Sequence, residues 1–288
     1  MNNIFTKTRQ ILKTIFENEL NVDKPNLSAT AIDFIMRHYN QAVHHYLEKD
    51  FFDKEKLIKQ RLKKSYNLFI KKGSDNIGID ILKYSLKDLK PSFRKELEKS
   101  INNCLQLCKT QDITFLNKVR DNLLNYCSNT QLERTQATLF DNVLPKNNYS
   151  DKWQKMVIRD QQKKMIGNMT YITAKRNNAI GFIWRNRKDI RVVGNPAGLY
   201  PFGNDKHKNH WNREGKLYLF KDSEMIKKGL IKKTPDVEWA EDITDGLPSQ
   251  AINCRCTMRL IYRIYEIPRE YQSIITQKGN ARESDALI

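Results

Sequence analysis

The chain has 288 residues, 39% of them hydrophobic, with 51 Lys and Arg against 33 Asp and Glu for a formal net charge of +18. That length suits about two domains, and the apolar content is enough for a core, which argues against wholesale disorder. Its five cysteines, an odd number, speak against a secreted disulfide framework, and no run approaches the roughly 18 apolar residues of a membrane-spanning helix.

The opening stretch MNNIFTKTRQILKTIFENEL lacks an apolar signal region, so a cytoplasm-like compartment is expected. The positive charge is not a basic tail. Residues 1–150 carry 25 Lys and Arg against 17 Asp and Glu, and residues 151–288 carry 26 against 16. Such a field favours polyanions, membrane surfaces or acidic partners. The bland alternative is a lysine-rich composition without a functional meaning.

Residues 1–148 read as successive helices. Ile32, Ile35, Met36, Tyr39, Val43, Tyr46 and Leu47 recur at steps of three and four, an apolar stripe on one helix face. Ser28 and Thr30 are N-cap candidates ahead of it. Leu57, Ile58, Leu62, Tyr66, Leu68 and Phe69 repeat the pattern up to Gly73, a suitable C′ residue. A further helix is predicted to open at Pro91, which suits a first turn, and to bury Phe93, Leu97, Ile101, Leu105 and Cys108. Cys104 and Cys108 sit one turn apart with no His nearby, as buried helix thiols do. His38, His44 and His45 are expected to be solvated or to cap a helix.

The pattern changes at PKNNYSDKW, which reads as a loop with Ser150 as N-cap. A long helix follows. Then come β-like pieces at 180–185, 189–194, 216–220 and 256–267, separated by loops rich in Gly, Pro and Asn. The expected fold is α+β: a mostly helical N-terminal half, then a small mixed domain with a long helix packed on a short sheet over 149–267, then a polar and partly mobile tail over 268–288.

The second half carries an ordered set of motifs. They are Arg159-Asp160-Gln161 on the long helix, Ile180–Trp184, Asp189-x-Arg191-Val192, His210 five residues before Gly215, and Pro248 ahead of Asn253-Cys254-Arg255-Cys256. Taken in order, they resemble the phage head morphogenesis proteins of the Mu F-like minor head family, over about residues 150–265. The resemblance implies a structural minor head protein in the capsid interior at the portal vertex, passing through the host cytoplasm during assembly. Its implied role is head morphogenesis, DNA packaging or delivery. The implied partners are the portal, the major capsid or scaffold protein, and duplex DNA bound without sequence specificity. It implies no cofactor and no catalytic residue. Some relatives carry effector modules, so a phage-delivered nuclease- or transferase-like enzyme is the alternative, with the helical half as the only room for it. The family places its His soon after Asp-x-Arg-Val; here VGNPAGLYPFGNDKHKN intervenes, as an inserted surface loop would, and the interval to Gly215 selects His210 over His207.

Physically, a C-x-C pair cannot close a tetrahedral zinc site alone, and structural sites usually use C-x2–4-C. In an extended strand its two side chains share one face roughly 7 Å apart. The expected arrangement has both thiols packed against the Trp184 strand with Arg255 facing away. The alternative is zinc held by His210, Cys254 and Cys256. Asp189 and Arg191, read as one side of a strand, can pair with each other or clamp the loop that follows. Arg159 is expected to bridge helix and sheet through its guanidinium fork. No phosphate-binding Gly loop, nucleophile elbow or H-E-x-x-H is present.

Overall fold

The computed structural model describes residues 4–20, 27–73, 79–130, 132, 134–145, 150–202 and 209–280. The protein is α+β, with a helical N-terminal half and a small mixed sheet after it. Among the described residues, no helix is long and apolar enough to cross a membrane. The chain forms two compact units. The first comprises Met1–Arg61 and Ile101–Ile158, the second Leu62–Ser100 and Arg159–Ile288.

The first unit is built from α1 (Ile4–Ile15), α2 (Ala29–His45), α5 (Gln136–Val143) and the parts of α3 (Phe51–Lys72), α4 (Ile79–Ser128) and α6 (Ser150–Arg176) that fall within its ranges. Ser28, not Thr30, caps α2, its side chain accepting from the Ala31 N–H at 3.1 Å. Thr135 and Thr138 form a reciprocal capping box on α5, satisfying N–H groups that a helix start otherwise leaves open. The stripe read from α2 buries Ile35 and Tyr39 against Leu12, Ile15, Val119, Leu123, Leu139 and Val143. Burying such side chains contributes roughly 1.5–3 kcal/mol each. The Tyr39 hydroxyl donates to the Leu116 carbonyl at 2.8 Å, so the buried ring leaves no polar atom stranded. Cys104 and Cys108 are buried and not joined in a disulfide, as expected of helix thiols. His38 lies 3.4 Å from Glu19, and His44 3.4 Å from Glu48.

Pro91 does not start a helix. α4 begins at Ile79 and runs through Pro91. An internal proline removes one backbone bond and crowds the preceding turn, costing about 3 kcal/mol or more. Leu89, Phe93 and Leu97, buried on either side of it, outweigh that cost. Gly73 ends α3 as expected, with φ +72° and its N–H on the Phe69 carbonyl at 2.8 Å.

The second unit carries a four-stranded sheet in the order β3-β2-β1-β4. The central β1 (Gly181–Arg185) is antiparallel to β2 (Leu217–Leu219) and to β4 (Thr257–Ile261), and β2 pairs in parallel with β3 (Glu238–Trp239). Both faces of β1 are buried, which is why its sequence reads as an unbroken apolar run. Ile183 joins Leu217, Leu219, Leu230, Val237, Ile261 and Ile267 in one core. On the opposite face Phe182 stacks on Tyr218 at 5.2 Å and meets Phe220 at 5.8 Å. Tyr171 of α6 packs edge-on against Phe220 at 5.7 Å, so the long helix lies on the sheet. Gly181 is required there, because a Cβ would stand 2.1 Å from the Tyr218 carbonyl oxygen.

Three expectations are corrected. Residues 189–194 form turns, not a strand: the Asp189 carboxylate accepts its own chain's Arg191 N–H at 2.9 Å, a local bond that competes with sheet pairing. The piece read to residue 267 ends as a strand at Ile261. There the Glu266 carboxylate takes the N–H groups of Tyr262 and Arg263 at 2.7 and 3.1 Å and closes a 3-10 turn. Nor is the chain past Pro268 loose through residue 280. Arg269–Ile274 is a 3-10 helix, Ile274 is fully buried in the sheet core, and Ile231 bridges Ile275.

Candidate functional site

The residues of the ordered motifs, all in the second unit, bond to one another across sequence separations of tens of residues. Asp160, buried on α6, accepts the Asn253 N–H at 2.7 Å and pairs with Lys164 at 2.9 Å. Gln161 is buried beside it. Asn253 has φ +56°, a left-handed turn that Asn tolerates better than most residues. Gly167 lets the Pro248-Ser249 loop approach α6, for a Cβ there would meet the Ser249 Cβ at 3.0 Å and the Pro248 carbonyl at 3.2 Å. Ser249 then donates to the Cys256 carbonyl at 2.8 Å. Arg255 pairs with Asp189. Arg159 and Arg191 are exposed; the helix-to-sheet bridge expected of Arg159 is not seen among the described contacts, and its neighbour Asp160 instead links the helix to the loop at Asn253. Asp189 engages Arg255 and the Arg191 backbone, with no ion pair to the Arg191 side chain among the described contacts.

The interval from His210 to Gly215 has a structural reason. The chain leaves His210 through a 3-10 turn at Trp211–Arg213 and reverses at Gly215, with φ +80°. The Gly215 N–H then donates to the Trp184 carbonyl, and the Trp184 N–H to the Lys216 carbonyl, both at 2.9 Å. This seats His210 against Trp184, ring to ring at 5.2 Å. The insertion before it is a surface loop where described: Leu199, Tyr200 and Phe202 are exposed. His207 lies outside the described residues.

His210, Cys254 and Cys256 converge. All three are buried, and their ligand atoms lie within 4.8 Å of one another. His210 Nδ1 stands 3.6 Å from Cys254 Sγ and 3.7 Å from Cys256 Sγ. The extended spacing expected for the two thiols is not adopted. Residues 254–256 precede β4, the Cys254 N–H closes a turn on the Ala251 carbonyl at 3.0 Å, and the Cys256 N–H points at Cys254 Sγ at 3.4 Å. The turn at Asn253 folds the two sulfurs inward.

A second layer orients this trio. His210 Nε2 faces the Asp245 carboxylate at 3.3 Å, with side chains only 5% and 3% exposed, and Arg213 pairs with the other Asp245 oxygen at 2.7 Å. The Arg213 guanidinium also lies over the Trp184 ring, 4.8 Å from its centroid. Burial alone would raise the Asp245 pKa; the hydrogen bond and charge of Arg213, with the neighbouring His210, hold it below the usual carboxylate range. The Cys254 thiol is brought down to about 4, first by a hydrogen bond from Cys256 and then, against burial, by His210. Cys256 is pushed up by the same partnership and by its own burial. Among the described residues, the buried Trp184 indole N–H has no hydrogen-bond partner. Asp245 and Arg213 were not singled out in the sequence. Their one signal is position, Arg213 inside the His210–Gly215 interval and Asp245 just before Pro248.

In comparisons of the chain with protein-family models, curated proteins and solved structures, nothing matches.

Proposed function

We propose that the chain is a structural minor head protein of a tailed phage or prophage, of the Mu F-like kind. It acts in the capsid interior at the portal vertex, in head morphogenesis, DNA packaging or delivery, and is not an enzyme. The observation that carries this reading is that the motifs bond to each other: Asp160 to Asn253, Asp189 to Arg255, and His210 to both thiols. Side chains used in this way hold a fold together and leave few groups free for chemistry. Mass spectrometry of purified virions tests the reading. A few copies per particle, beside the portal and major capsid or scaffold protein, are expected, and absence from the particle overturns it.

Contact with packaged duplex DNA, without sequence specificity, is part of the proposal. The net charge of +18 supports it. So do the exposed Lys63, Lys64, Lys71 and Lys72 on α3, and Lys232 and Lys233 after α7 (Glu224–Lys227). Lys163 is half-buried, and its pKa is lowered first by burial and then by the charges of Arg255 and Arg159, with Arg187 adding to them. Such a crowd of cations gains when an anion arrives. If six to ten phosphates are contacted, affinity in a filter-binding assay falls by about 10³–10⁵ between roughly 50 and 200 mM salt. A flat response over that range removes DNA binding from the proposal.

A further inference from the structure

We propose that His210 Nδ1 and the sulfurs of Cys254 and Cys256 bind one thiophilic divalent cation, zinc by its preference for this donor set. Two thiolates and an imidazole suit zinc better than they suit the hard cations, which favour oxygen. The distances fit. Ligands held at about 2.3 Å (sulfur) and 2.0–2.1 Å (nitrogen) from a tetrahedral zinc stand about 3.6 Å apart; the two nitrogen-to-sulfur separations here are 3.6 and 3.7 Å. An unbridged cluster of two thiols and a histidine has no need to bring all three donors to a common point.

The surroundings are those of a metal ligand set. With Nδ1 turned to the sulfurs, Nε2 faces the Asp245 carboxylate at 3.3 Å, where its N–H would donate a hydrogen bond. A carboxylate in that place fixes the tautomer and raises the basicity of the liganding nitrogen. The Cys256 N–H aimed at Cys254 Sγ supplies a donor for thiolate charge. Two thiolates and a divalent ion are together neutral, which suits a buried site. Thiol protons displaced by the metal leave to solvent. The ion ties the turn that follows the insertion to the turn that precedes β4, both of which border β1. This goes beyond the minor-head reading and does not depend on it.

The test uses the full-length chain, purified under reducing conditions and exchanged into zinc and then, separately, cobalt(II). About one zinc per chain by elemental analysis is expected, with intense thiolate-to-cobalt charge-transfer absorption from the wild-type protein. Asp245→Asn is expected to weaken zinc binding by about 10–100-fold. Cys127→Ser, altering a buried cysteine of the other unit, is expected to leave the stoichiometry unchanged. Less than a tenth of a zinc per chain after reconstitution overturns the proposal, as does cobalt binding without thiolate bands. So does an intact mass showing Cys254 and Cys256 joined as a disulfide in the reduced preparation. The wild-type cobalt spectrum decides the matter even if a ligand variant fails to fold.

Discussion

Replacing Asp112 by Ala is expected to lower the free energy of unfolding by about 3–5 kcal/mol, the cost of leaving one buried charge without its partner. Asp112 and Lys54 face each other at 2.6 Å with side chains 5% and 12% exposed, and the Tyr46 hydroxyl donates to the same carboxylate oxygen at 3.3 Å. Without Asp112, the Lys54 ammonium loses its carboxylate and is left facing the Tyr46 ring, 5.7 Å away. The intact pair is not itself a large source of stability. Burial, the strongest influence on Asp112, raises its pKa despite the opposing charge and hydrogen bond of Lys54 and the bond from Tyr46. A carboxyl whose folded pKa lies above its unfolded value contributes stability that is present below the unfolded pKa and is lost as pH rises through the folded one. The double variant Lys54→Met with Asp112→Leu is therefore expected to be close to neutral at pH 7, or more stable than the parent. It should also lack that pH-dependent loss. Urea unfolding of the parent, the single and the double variant checks this. A single-variant loss below about 1 kcal/mol, the range of exposed pairs, would show that water reaches the pair.

Trp184→Ala is expected to cost about 3–5 kcal/mol, as truncation of a buried aromatic does. Trp184 is fully buried on the central strand, with Tyr218 at 5.9 Å and His210 at 5.2 Å. Its ring also supports the Arg213 guanidinium, a contact worth about 0.5–2 kcal/mol by itself. Arg213 in turn holds Asp245, which faces His210. Loss of the ring therefore creates a cavity and releases the chain of contacts that orients the imidazole. Trp184→Phe keeps a ring face and is expected to lose less. Urea unfolding measures the stability, and near-UV circular dichroism reports whether the aromatic cluster of the sheet survives. An alanine variant within about 1 kcal/mol of the parent would mean that the site can collapse around the missing ring.

The α+β class, the α2 stripe, the Ser28 cap, the Gly73 stop and the β1 and β2 strands were legible in the sequence because each is written locally. Helix periodicity, a capping side chain and a left-handed glycine act within a few residues of themselves. Pro91 misled for the opposite reason: its preference for a first turn is local, and the burial of Leu89, Phe93 and Leu97 that overrides it is not. β3, two residues long and paired in parallel with β2, has too few residues to carry a periodic signal. The loop at 189–194 read as a strand because Ile190, Val192 and Val193 have strand-like side chains; the Asp189 carboxylate decides otherwise by taking the Arg191 N–H.

By itself the sequence determined the α+β class, with a mostly helical first half ahead of a small mixed domain; Arg159-Asp160-Gln161, Trp184, Asp189, His210, Gly215 and Asn253–Cys256 were expected to matter only through the family resemblance they carry. Only the tertiary structure decided what they do. It assigned the helix link to Asp160 instead of Arg159, turned the two thiols from an extended spacing into a pocket shared with His210, and supplied Asp245 and Arg213 as supports. The reason is reach: a local rule fixes how a residue bends its own chain, whereas the meeting of His210 with two sulfurs more than forty residues away depends on how β1, β2 and β4 pair.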